Sequence, residues 1–441
     1  MQYLNEIKNK HITVLGLGVT GLGIVRFLLS HGLTPKVVDS RNTPPGIDWL
    51  TQHAAHLTTH FGDLDHAELL ASEMIIISPG LSLTLPAVAA AMAAGVEVIG
   101  DVELFARLNT KPVVAVTGSN GKSTVVTLAY EVLKTAGYKV ALGGNIGTAV
   151  LDLLNDDVDV YVLELSSFQL DTTTSLQPMS ATVLNISEDH LDRYSSYQAY
   201  IDSKLTIYNN AALVVTNADD QATHSTLTPQ LSFGATEGDY SLGEYNGQLH
   251  FMLHGEALLP VATMAVVGTH NYLNALAVMA LLSPFNITKA HYQTALSQFN
   301  GLAHRCQLVA EQSGVKYFND SKATNVGATI AAIDSLASSE KQLIVIAGGD
   351  AKGADLTPLI PYLQRSVKAL ICFGKDANAL MALSDSSHLT NNMNEAVALA
   401  KQLSAPGNIV LLAPACASID MYNNYMQRGE HFVQCVLQAQ P

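Results

Sequence analysis

Residues 112–124, PVVAVTGSNGKST, constrain the fold of this chain more than any other stretch. An apolar β-branched run at 113–116 breaks abruptly into Gly118, Ser119, Asn120 and Gly121. Lys122, Ser123 and Thr124 follow, and helix-forming residues continue to Lys134. The order predicts strand, phosphate loop and helix. Glycines let the backbone turn tightly enough for successive N–H groups to point into one cavity, where the following helix adds the positive end of its dipole. Lys122 would reach terminal phosphates, and the Ser123 hydroxyl would take a Mg²⁺ ligand position. Val116 stands where the general GxxxxGK[ST] pattern has glycine, so the loop is the shorter form TGSNGKS.

A chain of 441 residues is too long for one core. Hydrophobic residues at 48% against charged ones at 14% suit buried parallel sheets, not a coiled coil or a disordered chain. The 23 Lys+Arg against 38 Asp+Glu give a net charge of −15, which opposes nonspecific attraction to nucleic acid or anionic membrane. An anionic substrate must then be met by locally placed cations or backbone amides. Cys306, Cys372, Cys416 and Cys435 are far apart with no metal spacing, as expected of a reduced protein. The N-terminal stretch lacks the apolar core of a signal peptide, and the apolar run at 85–100 carries Glu97 and ends too soon to span a bilayer. A cytoplasmic protein acting as a monomer, with neither nucleic acid nor membrane as partner, is expected.

The periodicity predicts an α/β protein of three domains, 1–100, 101–301 and 302–441. The first opens with a strand at 11–15, then Gly16, Leu17, Gly18, Val19, Thr20 and Gly21, a helix, and a second strand ending at Asp39. This GxGxxG turn with its acid suggests a dinucleotide and a dehydrogenase, although the same turn serves any diphosphate. The second domain holds the phosphate loop, with strands at 158–163, 181–186 and 213–216, and antiparallel ribbons at 240–260. The third has strands at 316–318, 343–347, 369–373 and 409–412, with a helix opening at Ser418 and Asp420. Ligands of open α/β sheets bind at the carboxyl ends of strands, so the polar residues there are the candidates.

Glu164 follows a strand and could complete a Mg²⁺ shell begun by Ser123. His190 lies in NISEDHLDRY after the next strand. In the predicted helix at 197–208, Ile201, Leu205 and Tyr208 form one stripe with Lys204 against its edge. Desolvation there favours a neutral amine able to add CO₂, giving a metal-binding carbamate; a lysine snorkelling from an amphipathic helix is the alternative. His304 and Arg305, the run 319–325, and 348–353 gather polar groups after third-domain strands.

TGSNGKS, GGNIG from Gly143, LELSSFQL, DHLDRY, HNYLNALA and NDSKATN occur in the order found in the Mur ligase family, which the whole chain resembles. NDSKATN resembles the branch that adds D-glutamate to UDP-N-acetylmuramoyl-L-alanine. The resemblance implies a Rossmann-like N-terminal domain, a central P-loop ATPase-like parallel sheet with appended antiparallel strands, and a Rossmann-like C-terminal domain. It also implies that the first domain holds UDP in place of NAD, through Gly18, Val19, Thr20, Gly21, Asp39, Ser40, Arg41, Ser78 and Gly80. ATP would lie on residues 118–124, with Asn271, His304, Arg305 and Asp320 around it. Of two Mg²⁺ ions, Ser123 and Glu164 would hold one, and His190 with carbamoylated Lys204 the other. Asn145, Ser166 and Gln169 would hold the muramoyl substrate, and Lys322, Thr324, Lys352, Ser418 and Tyr425 the D-glutamate. Lys122, His190 and Lys204 would carry the chemistry. Gln307, Tyr425 and Ala351 depart from the family's usual glutamate, phenylalanine and glycine.

The implied reaction is ATP-dependent amide formation through an acyl phosphate. An NAD-dependent dehydrogenase and a ligase of the same superfamily acting on folate are the competing readings.

Overall fold

A computed structural model describes residues 2–64, 66–189, 193–266, 268–337 and 342–438. The chain is an α/β protein with three sheets. It divides into two compact units. The first comprises Met1–Asn185, Gln198–Pro260 and Ala275–Leu296, and the second Ile186–Tyr197, Val261–Asn274 and Ser297–Pro441.

The first unit carries two of the sheets. Strands β1 (Ile12–Leu15), β2 (Lys36–Asp39), β3 (Thr59–Phe61), β4 (Met74–Ile77) and β5 (Glu97–Ile99) form a parallel sheet in the order β3-β2-β1-β4-β5. β1 and β4 are buried at every position, which is why they read as unbroken apolar runs. The strand order reverses between β1 and β4, the place where such sheets open a crevice at their carboxyl ends.

The central sheet contains β6 (Val113–Thr117), β7 (Val140–Gly144), β8 (Val160–Glu164), β9 (Ser180–Val183), β10 (Val214–Asn217), β11 (Gln230–Phe233), β12 (Tyr240–Tyr245), β13 (Gln248–Leu253) and β14 (Glu256–Pro260), in the order β14-β13-β12-β11-β10-β9-β6-β8-β7. β12, β13 and β14 are the antiparallel ribbon expected at 240–260. Asn246 and Gly247 both take positive φ between β12 and β13, the conformation that an Asn-Gly hairpin turn requires. Glu164 is the last residue of β8, not the first after it, and pairs across to Val116 on β6 and Gly144 on β7. That register brings it level with the start of the phosphate loop.

In the second unit, β15 (Gln307–Gln312), β16 (Val315–Asn319), β17 (Leu343–Gly348), β18 (Val367–Phe373), β19 (Ser387–Leu389) and β20 (Ile409–Leu412) form a sheet in the order β15-β16-β20-β17-β18-β19. Leu343 and Val345 pack into the core on one face, Ile344 and Ile346 into that on the other. The helix expected to open at Ser418 begins instead at Tyr425. Ser418 starts a separate turn, its carbonyl accepting from the Met421 and Tyr422 N–H groups, and the Asn424 side chain accepts from Gln427 N at 2.9 Å to start the helix. Among the described residues no helix is long and apolar enough to cross a membrane.

Candidate active site

The phosphate loop runs from buried β6 into the helix Lys122–Thr135, whose N-cap Gly121 is left-handed. Gly118 has φ +142°, and a Cβ there would press on Leu184 and Asn185 at 3.1–3.3 Å, so no other residue fits without displacing the next strand end. Asn185 braces the loop: its carbonyl accepts from Ser119 N at 2.8 Å, and its side-chain oxygen accepts from Asn120 N at 2.8 Å. Lys122 folds back, donating to the carbonyls of Gly118 at 2.8 Å and Ser119 at 2.9 Å.

One strand over, buried Glu164 accepts from Ser123 Oγ at 2.6 Å and from Asn145 Nδ2 at 2.7 Å. A hydroxyl and a carboxylate at a phosphate loop are hard oxygen donors, and they fit a Mg²⁺ ion bound jointly with phosphate oxygens. Lys204 is far more enclosed than its place beside an apolar stripe suggested, at 2% exposure. Its ammonium donates to Gly118 O at 3.1 Å and lies 4.7 Å from the Tyr200 ring centre. Ser166 and Gln169 form a capping box on the short helix Ser167–Leu170 beyond β8. His190 lies outside the described residues.

At the crevice of the first sheet, Asp39 is saturated. It accepts from Leu17 N at 2.6 Å, Arg41 N at 2.9 Å, and Arg41 Nε and Nη2 at 2.8 and 2.7 Å. Burial opposes its ionisation, but the hydrogen bonds from Arg41 and Leu17 hold its carboxyl below the usual range. A carboxylate so engaged cannot also serve a ribose in the manner of a dinucleotide fingerprint. The half-exposed Arg41 guanidinium it orients is the group suited to an anion. Ser78 donates to Gly16 O at 2.8 Å and fixes the glycine turn, which continues through Gly18, Val19, Thr20 and Gly21. Ser40 follows Asp39, and Gly80 lies just beyond β4.

In the second unit the polar residues collect at the carboxyl ends of β16, β17 and β20. Asp320 N donates to Leu412 O at 2.9 Å, and Lys322 N to His304 O at 3.1 Å. Lys322 lies 4.3 Å from the ring centre of Tyr425, and the His304 ring meets Tyr425 edge-on at 6.2 Å. Burial pushes the Asp320 carboxyl up to about 7, against the pull of Arg305. Ser418 is buried, Thr324 half-buried, and Lys352 exposed in a left-handed turn closed by its N–H on Asp350 at 2.8 Å. Asn271 lies in the first turn of the helix Thr269–Leu281. Gln307, where glutamate is usual, still presents an oxygen, accepting from His304 N at 3.2 Å.

The sequence reading missed Arg428. This wholly buried guanidinium donates to Ser321 Oγ and O, Gly348 O and Cys416 O at 2.9–3.1 Å, tying three strand ends together. A signal existed: Arg428 shares a helix face with Phe432, Cys435 and Val436, where a cation needs buried acceptors.

A first sheet with a crevice at its carboxyl edge, a central sheet carrying a phosphate loop with a paired Ser123 and Glu164, and a third sheet with its own polar edge are the architecture of a modular ATP-dependent ligase. Three family models match: the Mur ligase MurD-like N-terminal domain over residues 10–100, the Mur ligase middle domain over 116–282, and the Mur ligase glutamate ligase domain over 304–416. The chain belongs to the Mur ligase family. It is 80% identical, over all of both chains, to the UDP-N-acetylmuramoylalanine--D-glutamate ligase of Pseudoalteromonas translucida (strain TAC 125). It is also 47% identical to the protein of that name from Haemophilus influenzae (strain PittEE), covering 98% of this chain and 99% of the relative. The fold is similar to that of the UDP-N-acetylmuramate-alanine ligase MurC from Thermotoga maritima, with TM-score 0.61, 20% identity, and coverage of 98% of this chain and 100% of that one. It is likewise similar to the MurF ligase from Thermotoga maritima in complex with ADP, with TM-score 0.62, 16% identity, and coverage of 99% and 97%.

Proposed function

We propose that the protein is an ATP-dependent amide ligase that adds D-glutamate to UDP-N-acetylmuramoyl-L-alanine in bacterial peptidoglycan precursor synthesis. The observation that carries this is the 80% identity across the full length of both chains to the ligase of that name. The phosphate loop with Ser123 and Glu164 supports ATP as the energy source.

A carboxylate is a poor acyl donor at neutral pH. The alanyl carboxylate therefore attacks the ATP γ-phosphate, giving an acyl phosphate and ADP, and the D-glutamate amine then attacks the acyl carbon and expels phosphate. Residues 118–124 cradle the phosphates with backbone N–H groups, and Lys122 moves from the Gly118 and Ser119 carbonyls to the transferred group. The family resemblance assigns Asn271, His304, Arg305 and Asp320 to contacts with the nucleotide. Arg41, oriented by Asp39, meets the anionic UDP part, with residues 18–21, Ser40, Ser78 and Gly80 alongside it. Asn145, Ser166 and Gln169 hold the muramoyl end; Lys322, Thr324, Lys352, Ser418 and Tyr425 hold D-glutamate.

Ser123 and Glu164 would hold one Mg²⁺, and carbamoylated Lys204 with His190 a second. When bound, the ions supply positive charge that offsets the charge gathering on the transferred phosphoryl group. One chain carries every group named, which supports a monomeric enzyme, and the net charge of −15 with no described helix able to cross a membrane supports work in the cytoplasm. The test is ADP release: it should require UDP-N-acetylmuramoyl-L-alanine and D-glutamate together. Release with a folate and glutamate, or tight NAD binding without ATP binding, would overturn the assignment.

A further inference from the structure

The turn that presents Lys352 is held from outside as well as from within. Lys352 takes φ +53°, a conformation unfavourable for a residue with a side chain, although Gly353 stands next to it. Such a backbone persists where its surroundings over-determine it. Asp350 does part of this. Its Oδ1 accepts from Lys352 N at 2.8 Å and its Oδ2 from Lys375 Nζ at 3.0 Å, while its backbone exchanges two hydrogen bonds with Ala417, at 2.9 and 2.8 Å. Gly349 lets that pair close, since a Cβ there would collide with Ala417 O. Ser418 follows Ala417, so the bridge sets the spacing of two side chains assigned to D-glutamate.

A further contact comes from the end of the neighbouring strand. Asp376 precedes the helix Ala377–Met381 just after β18, where an aspartate ordinarily caps the helix that follows it. Its side chain makes no such cap. Its Oδ2 accepts instead from Ala351 N at 2.7 Å, and its N–H donates to Gly349 O at 3.0 Å. The carboxylate thus crosses from the end of β18 to the end of β17 and holds the residue directly before Lys352.

We propose that Asp376 is a positioning residue for D-glutamate: its hydrogen bond to Ala351 N holds the loop 349–353 so that Lys352 and Ser418 keep the separation their shared ligand requires. The proposal rests on the assignment of Lys352 to D-glutamate. Lys352 is exposed, so the direction its long side chain takes starts from its own backbone. That backbone is pinned at Asp350 by Ala417 and at Ala351 by Asp376. Without Asp376 the turn relaxes before the ligand arrives, and binding then bears the cost of ordering it.

The test is steady-state ligation by the full chain with each substrate varied in turn. Asp376→Ala removes the acceptor. It should raise KM for D-glutamate about tenfold, equal to about 1.4 kcal/mol, while kcat and the KM values for ATP and UDP-N-acetylmuramoyl-L-alanine stay within about threefold. Asp376→Asn keeps an acceptor oxygen and should stay within about threefold of wild type. If Asp376→Ala does not fold, judged by circular dichroism, Asp376→Ser carries the same expectation, because its shorter side chain falls short of Ala351 N. In a Lys352→Ala background the Asp376 substitution should change KM for D-glutamate by less than about twofold. A folded Asp376→Ala or Asp376→Ser with wild-type KM for D-glutamate overturns the proposal. So does an Asp376→Asn as impaired as Asp376→Ala, or an undiminished rise in the Lys352→Ala background. A wild-type KM in Lys352→Ala alone overturns the assignment of Lys352 instead.

Discussion

Lys204 and Lys122 share one acceptor, the carbonyl oxygen of Gly118, at 3.1 and 2.8 Å. Two ammonium groups converging on one oxygen beside a buried loop repel each other, so a change of charge on Lys204 is felt directly at the phosphate loop.

Lys204→Ala is expected to lower turnover at least about 100-fold, a loss in the range seen when a transition-state electrostatic group is removed. Bicarbonate should not restore the variant, whereas a short carboxylic acid should recover part of the rate by supplying the missing oxygens. ADP release measures both. Full activity in a wild-type sample whose Lys204 is unmodified by mass spectrometry would contradict the carbamate.

Lys122→Ala should abolish ATP-coupled ligation while leaving UDP-substrate affinity within a few fold, because the crevice proposed for UDP lies on another sheet. Calorimetric titration of the UDP substrate separates the two effects. An intact ligation rate would remove Lys122 from the phosphate site.

Asp101 gives a pH signature. It opens the helix Asp101–Leu108 at 3% exposure, its Oδ1 has no hydrogen-bond partner, and burial pushes its carboxyl up to about 6. The native state therefore holds the proton longer than the unfolded chain. Its contribution is full at pH values below the ordinary carboxylate range and is lost as pH rises through about 6. Between pH 5 and 8 the wild type should lose about 1–2 kcal/mol more than Asp101→Asn, as read from denaturant midpoints at each pH. Parallel curves would show that the carboxyl is ionised throughout.

Arg428→Leu should destabilise the second unit by about 4 kcal/mol, since it leaves Ser321 O and Oγ, Gly348 O and Cys416 O without their donor. Arg428→Lys should recover little, because one ammonium cannot span the fork. Thermal unfolding checks both, and a variant within about 1 kcal/mol of wild type would show that water replaces the guanidinium.

Much of the sheet architecture was legible because parallel strands buried on both faces leave continuous apolar runs, such as 74–77 and 343–347. The short edge strands β3 and β19, three residues each, were not, since they carry too few apolar positions to show a period. The phosphate loop declared itself by its glycines. Glu164 could be placed beside it only as a strand-end acid, and the register with Val116 supplied the distance. Lys204 was read as lying at the edge of a stripe; its enclosure comes from Gly118 and Tyr200, which a helical projection of its own segment does not contain. Arg428 and Asp101 escaped notice for the same reason. Each looks like an ordinary helix residue until its partners, 107 residues away for Ser321, are known.

The Arg428 knot has a bearing on selectivity. Residues 321, 348 and 416 are lashed to a single guanidinium that has no room to relax, so the rim they form is cast during folding and does not mould itself around a visitor. A rim of that kind discriminates by refusing what does not fit. Changing which amino acid the proposed D-glutamate site accepts would then mean recasting the loops, and trimming the side chains that face the guest would not suffice.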